Sequence, residues 1–323
     1  MTNKEIYKKT LTFSLHRLLY DLLAFLLLGA MGAAGFLLMD RINNRGLIGL
    51  GVGLLIGLFA VIFILRYVSY TYKAGQIAMM TKGVTEGKLP ENVLGEGKAI
   101  VKRRFTTVAV FFAVTNVIKG IFSQLSRGMN SVGNAIGGKN GEQIASVISA
   151  VVETVVAYLC DCCLGWVFYR EDQNAGKATC EGAVLFFKHG KTLMKNLGRV
   201  FGLGLLSLLV IGGAFCSVFF AVFSRFPALF ERIAMDIGEA AAEIEQTVPE
   251  ILSNPQSVML LCAIVAAVIL WNILHSVFVR PFVLVGVLRN YLESGMNDIP
   301  AESSFAMLDS KSAKFKKLHA EGI

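Results

Sequence analysis

Long runs with almost no charge constrain this chain more than any other feature. LLAFLLLGAMGAAGFLLM at 22–39 and GLGVGLLIGLFAVIFIL at 49–65 are two of them. Each approaches the length of about 20 apolar residues that a helix needs to cross a bilayer. They lack the polar position that a surface helix shows every three or four residues, so a very large soluble core does not account for them. With 54% hydrophobic and 17% charged residues, the chain reads as an integral membrane protein. Six spans emerge, at about 17–39, 47–70, 105–125, 145–169, 200–223 and 258–279.

The expected fold is therefore all-α: one polytopic bundle of six transmembrane helices with interfacial amphipathic helices attached. Counting Lys and Arg orients it. With the N-terminus in the cytoplasm, the outer loops carry only Arg41, Arg45, Arg127, Lys139, Arg225 and Arg232 of the 31 basic residues, and Lys119 falls within a span. That asymmetry predicts both termini inside. The first apolar run follows Lys4, Lys8, Lys9 and Arg17 and has full bilayer length, so it is expected to stay as a span rather than be cleaved. Compact Gly-rich loops suit a bacterial cytoplasmic membrane.

A net charge of +8 raises nucleic acid as a partner, but no soluble portion is large enough to hold a nucleic-acid fold or an enzyme core. The expected partner is the bilayer itself, anionic headgroups included, with oligomerisation left open. Gly49, Gly53 and Gly57 form a small-residue stripe on the second span, and Gly29, Gly32 and Gly35 thin the first; packing between these two helices is the simpler reading, dimerisation the other. The segment 224–256 carries Ala, Glu and apolar residues at helical spacing, which predicts an outer amphipathic helix whose acidic face is either merely solvated or a cation-attracting vestibule. Gly97, Lys98 and Lys102 before the third span match Gly190, Lys191 and Lys195 before the fifth, a faint parallel repeat.

Several chemistries are excluded. Gly190, Lys191 and Thr192 look like the end of a phosphate-binding loop, yet the glycine such a loop needs upstream is Leu185. The histidines His16, His189, His275 and His319 are scattered. Cys160, Cys162 and Cys163 are too tightly spaced on a helix to converge on zinc, and with Cys180, Cys216 and Cys262 they read as reduced thiols, structural or acylated at the inner surface. No metal site, cofactor or catalytic nucleophile with a base is expected, so the chain does not read as an enzyme.

Polar groups inside spans are the positive clue, because hydrocarbon penalises each one unless it has a partner or a wet cavity. Asp21, Asn116, Lys119, Glu153, Asp161, Asn272 and His275 qualify. Depth places Asp21, Arg66 and Asp161 in an inner polar layer, where Asp21 either pairs with Arg66 or lines a path. Glu153 lies two turns above Asp161, near the midplane and near Asn116. Asn272, His275 and Ser276 share one face of the sixth span at i, i+3, i+4, beside Trp271, and form a candidate cavity wall or an interhelical hydrogen-bond set. Lys119 is expected to snorkel outward. Arg280 and Pro281 are expected to bend the chain at the inner surface, leaving 280–323 as a cytoplasmic tail. In 183–197, apolar Ala183, Phe186, Phe187, Leu193, Met194 and Leu197 oppose Lys188, Lys191, Lys195 and Asn196, which predicts a cytoplasmic interfacial helix on anionic headgroups.

The stretch CDCC at 160–163, the following TCEGAVLFFKHGKTLMKNLGRV, and VLRNYLESGMNDIPAESSFAM after the last span together resemble the choline transporter-like family of membrane proteins, in its carboxyl-terminal membrane core. The resemblance implies a transporter or facilitator of a small organic cation or amphiphile. Glu153 would supply negative charge, Tyr158 and Trp271 aromatic faces for a cation, and Asn272 and His275 polar contacts. A non-transporting scaffold that recruits a partner, and a pore-forming channel, are the alternatives.

Overall fold

The computed structural model describes residues 1–43, 45–106, 108–136, 141–194, 197–243, 249–310 and 312–320. The protein is all-helical, and no strand occurs among the described residues. The longer elements are α1 (Asn3–Asn43), α2 (Gly46–Val68), α3 (Ala74–Thr85), α4 (Val93–Arg104), α5 (Val108–Ile136), α6 (Gly141–Tyr169), α7 (Ala175–Met194), α8 (Leu197–Ser207), α9 (Gly213–Phe223) and α10 (Pro227–Glu243). The short α11 (Glu250–Ser253) leads into α12 (Pro255–Leu274) and α13 (Arg280–Asn297), and the short α14 (Ala306–Asp309) and α15 (Ala313–Ala320) close the chain. Single π turns, Ser69–Lys73, Leu208–Gly212 and His275–Val279, join α2 to α3, α8 to α9 and α12 to α13.

Two of those joints, and the unbroken α1, give unusually long helical runs. Asn3–Ile42, Gly46–Thr85 and Pro255–Asn297 run 40, 40 and 43 residues, and Gly202–Phe223 runs 22. At 1.5 Å per residue the first three reach about 60 Å, twice the hydrocarbon thickness of a bilayer. These four are long and apolar enough to cross a membrane, and the bent pair Val93–Arg104 with Ala109–Ser123 makes a fifth if counted as one broken span. The expected third span thus qualifies only as half of that pair, and the expected fourth only through the shorter apolar stretch Val156–Tyr169.

The chain divides into two compact units. The first, here the apolar unit, comprises Arg17–Val68 and Leu203–Val279. Its helices pack on small residues. A Cβ on Gly49 would strike the carbonyl oxygen of Gly35 and come within 2.6 Å of Met39 Cβ, so α1 and α2 touch backbone to backbone. Pro255 opens α12 where its missing N–H costs nothing, with Asn254 accepting from the Gln256 N–H at 2.9 Å. The amphipathic helix expected in 224–256 is α10. It buries Phe230 and Ala234 against Val258 and Met259, while Arg232 binds Asp40 at 2.6 Å and Asp236 accepts the Leu47 N–H at 3.1 Å near the start of α2. Two of its charged side chains are therefore tied to the α1–α2 connection. Residues 244–248 of that segment lie outside the described residues. In the four span windows only 17, 22, 6 and 22% of the residues are buried by protein, so their large apolar surface needs lipid to cover it.

The second, packed unit comprises Met1–His16, Ser69–Gly202 and Arg280–Ile323. All of the largest fully buried side chains belong to it, Trp166, Tyr291, Phe13, Phe105, Phe122, Phe305 and Phe315 among them. Trp166 of α6 donates to Glu181 of α7 at 3.0 Å, and Gly295 of α13 leaves room for its ring. Tyr291 of α13 donates to the Gly182 carbonyl of α7, and Gln76 of α3 donates to Thr10 O and Ser14 Oγ of α1 at 3.3 and 3.0 Å. At the α6–α7 turn Arg170 binds Asp172 through two 2.9 Å hydrogen bonds, which hold that carboxyl below its ordinary range.

Three expectations change here. The segment 70–104, the connection between the expected second and third spans, is the helical hairpin α3–α4; its turn uses Gly87 at φ +71°, and Asn92 caps α4 by accepting from Gly95 N–H at 2.9 Å. Arg280 and Pro281 do not break the helix. The π turn immediately before them widens the ladder where Pro281 offers no donor, and α13 continues. The helix expected to lie on the bilayer at 183–197 starts earlier, at Ala175, with Asn174 accepting from the Lys177 N–H. Its Cys180, Ala183 and Val184 are buried with Ile118, Phe122, Phe305, Leu308 and Phe315, while Lys188 is exposed and pairs with Asp298 at 2.5 Å. The side chains of Phe187, Lys191, Leu193, Met194 and Leu197 lie outside the described set, as do residues Lys195 and Asn196.

Candidate binding cavity

Asp161 organises the packed unit's polar interior. It faces inward from α6 with its side chain 5% exposed, and two cations close on it: Lys73 Nζ at 2.7 Å and Arg280 Nη2 at 2.5 Å. Lys73 is the last residue of the first π turn and Arg280 the first residue of α13. Arg280 also donates to the Ala157 carbonyl at 3.0 Å, one helical turn before Asp161. Charges this deep persist only when they are matched, and among the described residues one carboxylate here holds two cations.

Above this triad, α5 and α6 enclose a cavity of about 690 Å³. Its polar wall is Ser69, Lys73, Thr115, Asn116, Lys119, Ser123, Glu153, Asp161 and Arg280, and Phe111, Phe112, Ile118, Val156 and Leu164 supply the apolar share. Three cationic side chains thus stand against two carboxylates. Glu153 is exposed, and among the described residues it has no ion-pair partner. Volume and lining suit a small organic solute with charged groups.

The residues singled out in the sequence divide between the units. Glu153, Asp161, Asn116 and Lys119 share the cavity wall, and Lys119, expected to point outward, is part of it. Tyr158 is buried and is not in that wall. Its ring lies 5.4 Å from the Arg280 guanidinium carbon, so the protein's own cation covers the face expected to receive a ligand. The hydroxyl of Tyr158 and Nε of Arg280 are buried with no hydrogen-bond partner among the described residues.

Trp271, Asn272, His275, Asp21 and Arg66 belong to the apolar unit. Trp271 donates to Ser207 Oγ at 3.1 Å and its ring lies 5.2 Å from that of His275, while Asn272 is exposed. The stripe expected over Asn272, His275 and Ser276 is interrupted, because the π turn starts at His275 and shifts the helical phase of every residue beyond it. Ser276 receives Arg17 at its hydroxyl, 3.1 Å, and at its carbonyl, 3.2 Å. Asp21 is buried and pairs with Arg17, one turn earlier on α1, at 3.5 Å; Arg66 stands in the last turn of α2.

Cys162, Cys163 and Cys180 are fully buried, and burial pushes the Cys180 thiol up to about 12, so these three are packing residues with no access for an acyl chain. Cys160 borders the cavity. Among the described residues no three His, Cys, Asp or Glu side chains gather as a metal set. Sequence reasoning missed Lys73 and Arg280 as site residues. The available signal was negative: no proline occurs between Gly46 and Leu89 to stop the helix that carries Lys73 into the site. Comparison with known protein families, characterised proteins and solved structures gives no match.

Proposed function

We propose that this is an integral membrane protein that transports, or facilitates movement of, a small charged organic molecule or amphiphile, using the cavity between α5 and α6 as its binding site. The observation that carries the reading is a charged cavity entered by the chain directly where apolar segments end: Ser69 follows the 23-residue α2, and Arg280 follows α12 and its π turn. A solute there meets fixed charge carried by residues that follow two apolar helices directly in the chain. The cation-handling role implied by the resemblance to choline transporter-like proteins rests on Glu153 alone, because Asp161 is already matched twice over.

For topology the same proposal takes four crossings, in α1, α2, α8–α9 and α12, with both termini and the packed unit in the cytoplasm. That leaves Arg41, Arg45, Arg225 and Arg232 as the only basic residues of the far connections, a sharper positive-inside asymmetry than six crossings give. A bacterial cytoplasmic membrane suits it. Six crossings put the α5–α6 connection outside; four put it inside. An alkaline phosphatase reporter inserted between α5 and α6 is expected to be inactive, whereas one inserted between α1 and α2 is expected to be active; activity at both sites restores the six-span arrangement.

Transport itself is tested with purified protein in liposomes, by uptake of radiolabelled amines, amino-alcohol phosphates and amphiphilic zwitterions. Expected is saturable uptake of at least one of them, cut about tenfold or more in Glu153→Gln, the loss of one charge-assisted contact. No uptake above empty liposomes for any substrate, in folded protein, overturns the transport reading.

A further inference from the structure

The cavity is electrically two-ended. Lys73 and Arg280 surround Asp161 at one end, and Lys119 lies within electrostatic range of Cys160, the neighbour of Asp161. Three cations and one carboxylate therefore crowd that end. Glu153 sits eight residues earlier on α6, about 12 Å along the helix axis, exposed and without an ion-pair partner among the described residues. A simple organic cation drawn to Glu153 still faces the excess positive charge beyond it. A simple anion at the cationic end leaves Glu153 unanswered.

Resting on the binding role proposed above, we propose that the ligand is a zwitterion: an anionic phosphate or carboxylate at the Lys73, Lys119 and Arg280 end, and an ammonium group at Glu153. The apolar share of the wall, Phe111, Phe112 and Val156, accommodates the carbon between them. The same headgroup chemistry occurs free in solution and on a phospholipid.

Isothermal titration calorimetry of the full chain in dodecyl maltoside micelles separates these cases. O-phosphoethanolamine is the zwitterion, ethanolamine the cation alone and inorganic phosphate the anion alone; dihexanoyl phosphatidylethanolamine carries the headgroup on a lipid. Expected is binding of phosphoethanolamine at least about tenfold tighter than either half, the effect of one added charge-assisted contact. Glu153→Gln is expected to remove that advantage while leaving phosphate unchanged, and Lys119→Gln to weaken phosphate while leaving ethanolamine unchanged. Both side chains are exposed, and circular dichroism confirms that each variant is folded. Tighter binding of the lipid form identifies a membrane source, tighter binding of the free form a soluble one, and either supports the zwitterion. Ethanolamine binding as tightly as phosphoethanolamine, or a Glu153→Gln variant that binds phosphoethanolamine unchanged, overturns the zwitterion and leaves a cation or anion site standing. Absence of heat with all four probes overturns the cavity as a binding site.

Discussion

Asp161→Asn is expected to destabilise the packed unit by about 3–5 kcal/mol, the penalty for removing one partner of a buried charge cluster. The carboxylate is 5% exposed and answers both Lys73 at 2.7 Å and Arg280 at 2.5 Å. An amide keeps the shape and loses the charge, so two cationic groups then face one another at the edge of a low-dielectric interior. Arg280 is held there by the Ala157 carbonyl as well, whereas Lys73 is 28% exposed and can turn toward the cavity, which sets the loss at the lower end of that range. The measurement is the melting temperature in detergent, followed by tryptophan emission, since the fully buried Trp166 lies on the same helix. Combining Asp161→Leu with Lys73→Met and Arg280→Met is expected to recover most of the loss, because apolar residues of similar volume often replace a buried ion cluster without penalty. A single Asn variant that melts with the wild type would mean that water in the cavity screens the cations.

Gly49→Ala is the second large effect, in the apolar unit. The added methyl would meet the Gly35 carbonyl oxygen and lie 2.6 Å from Met39 Cβ, and a backbone atom cannot rotate away as a side chain can. Separation of α1 from α2 is the only relief. The expected loss is about 3 kcal/mol, the upper part of the range for overpacking. Gly51→Ala is the control: its Cβ meets nothing within 4 Å, and replacing an exposed helical glycine stabilises by up to about 1 kcal/mol. Thermal unfolding of the two variants side by side is expected to move in opposite directions. Equal destabilisation of both would remove close backbone packing as the reason.

The sequence displays the apolar unit plainly. Hydropathy marks its helices because lipid accepts apolar side chains all round, and the glycine spacing of α2 marks the face that meets α1. The packed unit is harder to read for a physical reason. Residues 105–125 and 145–169 are as apolar as spans by composition, while Ile118, Phe122, Trp166 and Val167 are buried against other helices of the same unit. Composition does not distinguish a side chain covered by lipid from one covered by protein. Glu153 and Asp161 were recognisable as costly intrahelical carboxylates. Their neighbours Lys73 and Arg280 were not, because both sit beyond apparent span ends, and only helices continuing past those ends bring them to Asp161. Tyr158 and Trp271 show the limit of reading aromatic residues alone: each has an intramolecular neighbour that one-dimensional spacing does not reveal.

A π turn holds one residue more than the α turn it replaces, so α2–α3 and α12–α13 behave like shafts with a phase coupling partway along. Before each coupling the pattern of outward apolar residues is set by the bilayer; after it, by the core of the packed unit. Lys73 closes one coupling and Arg280 stands just past the other. Removing that extra residue, other than Lys73 itself, restores the α ladder and leaves the helix beyond the turn on the faces it already held, so the chain can shorten by one at either turn while Lys73 and Arg280 keep their reach to Asp161.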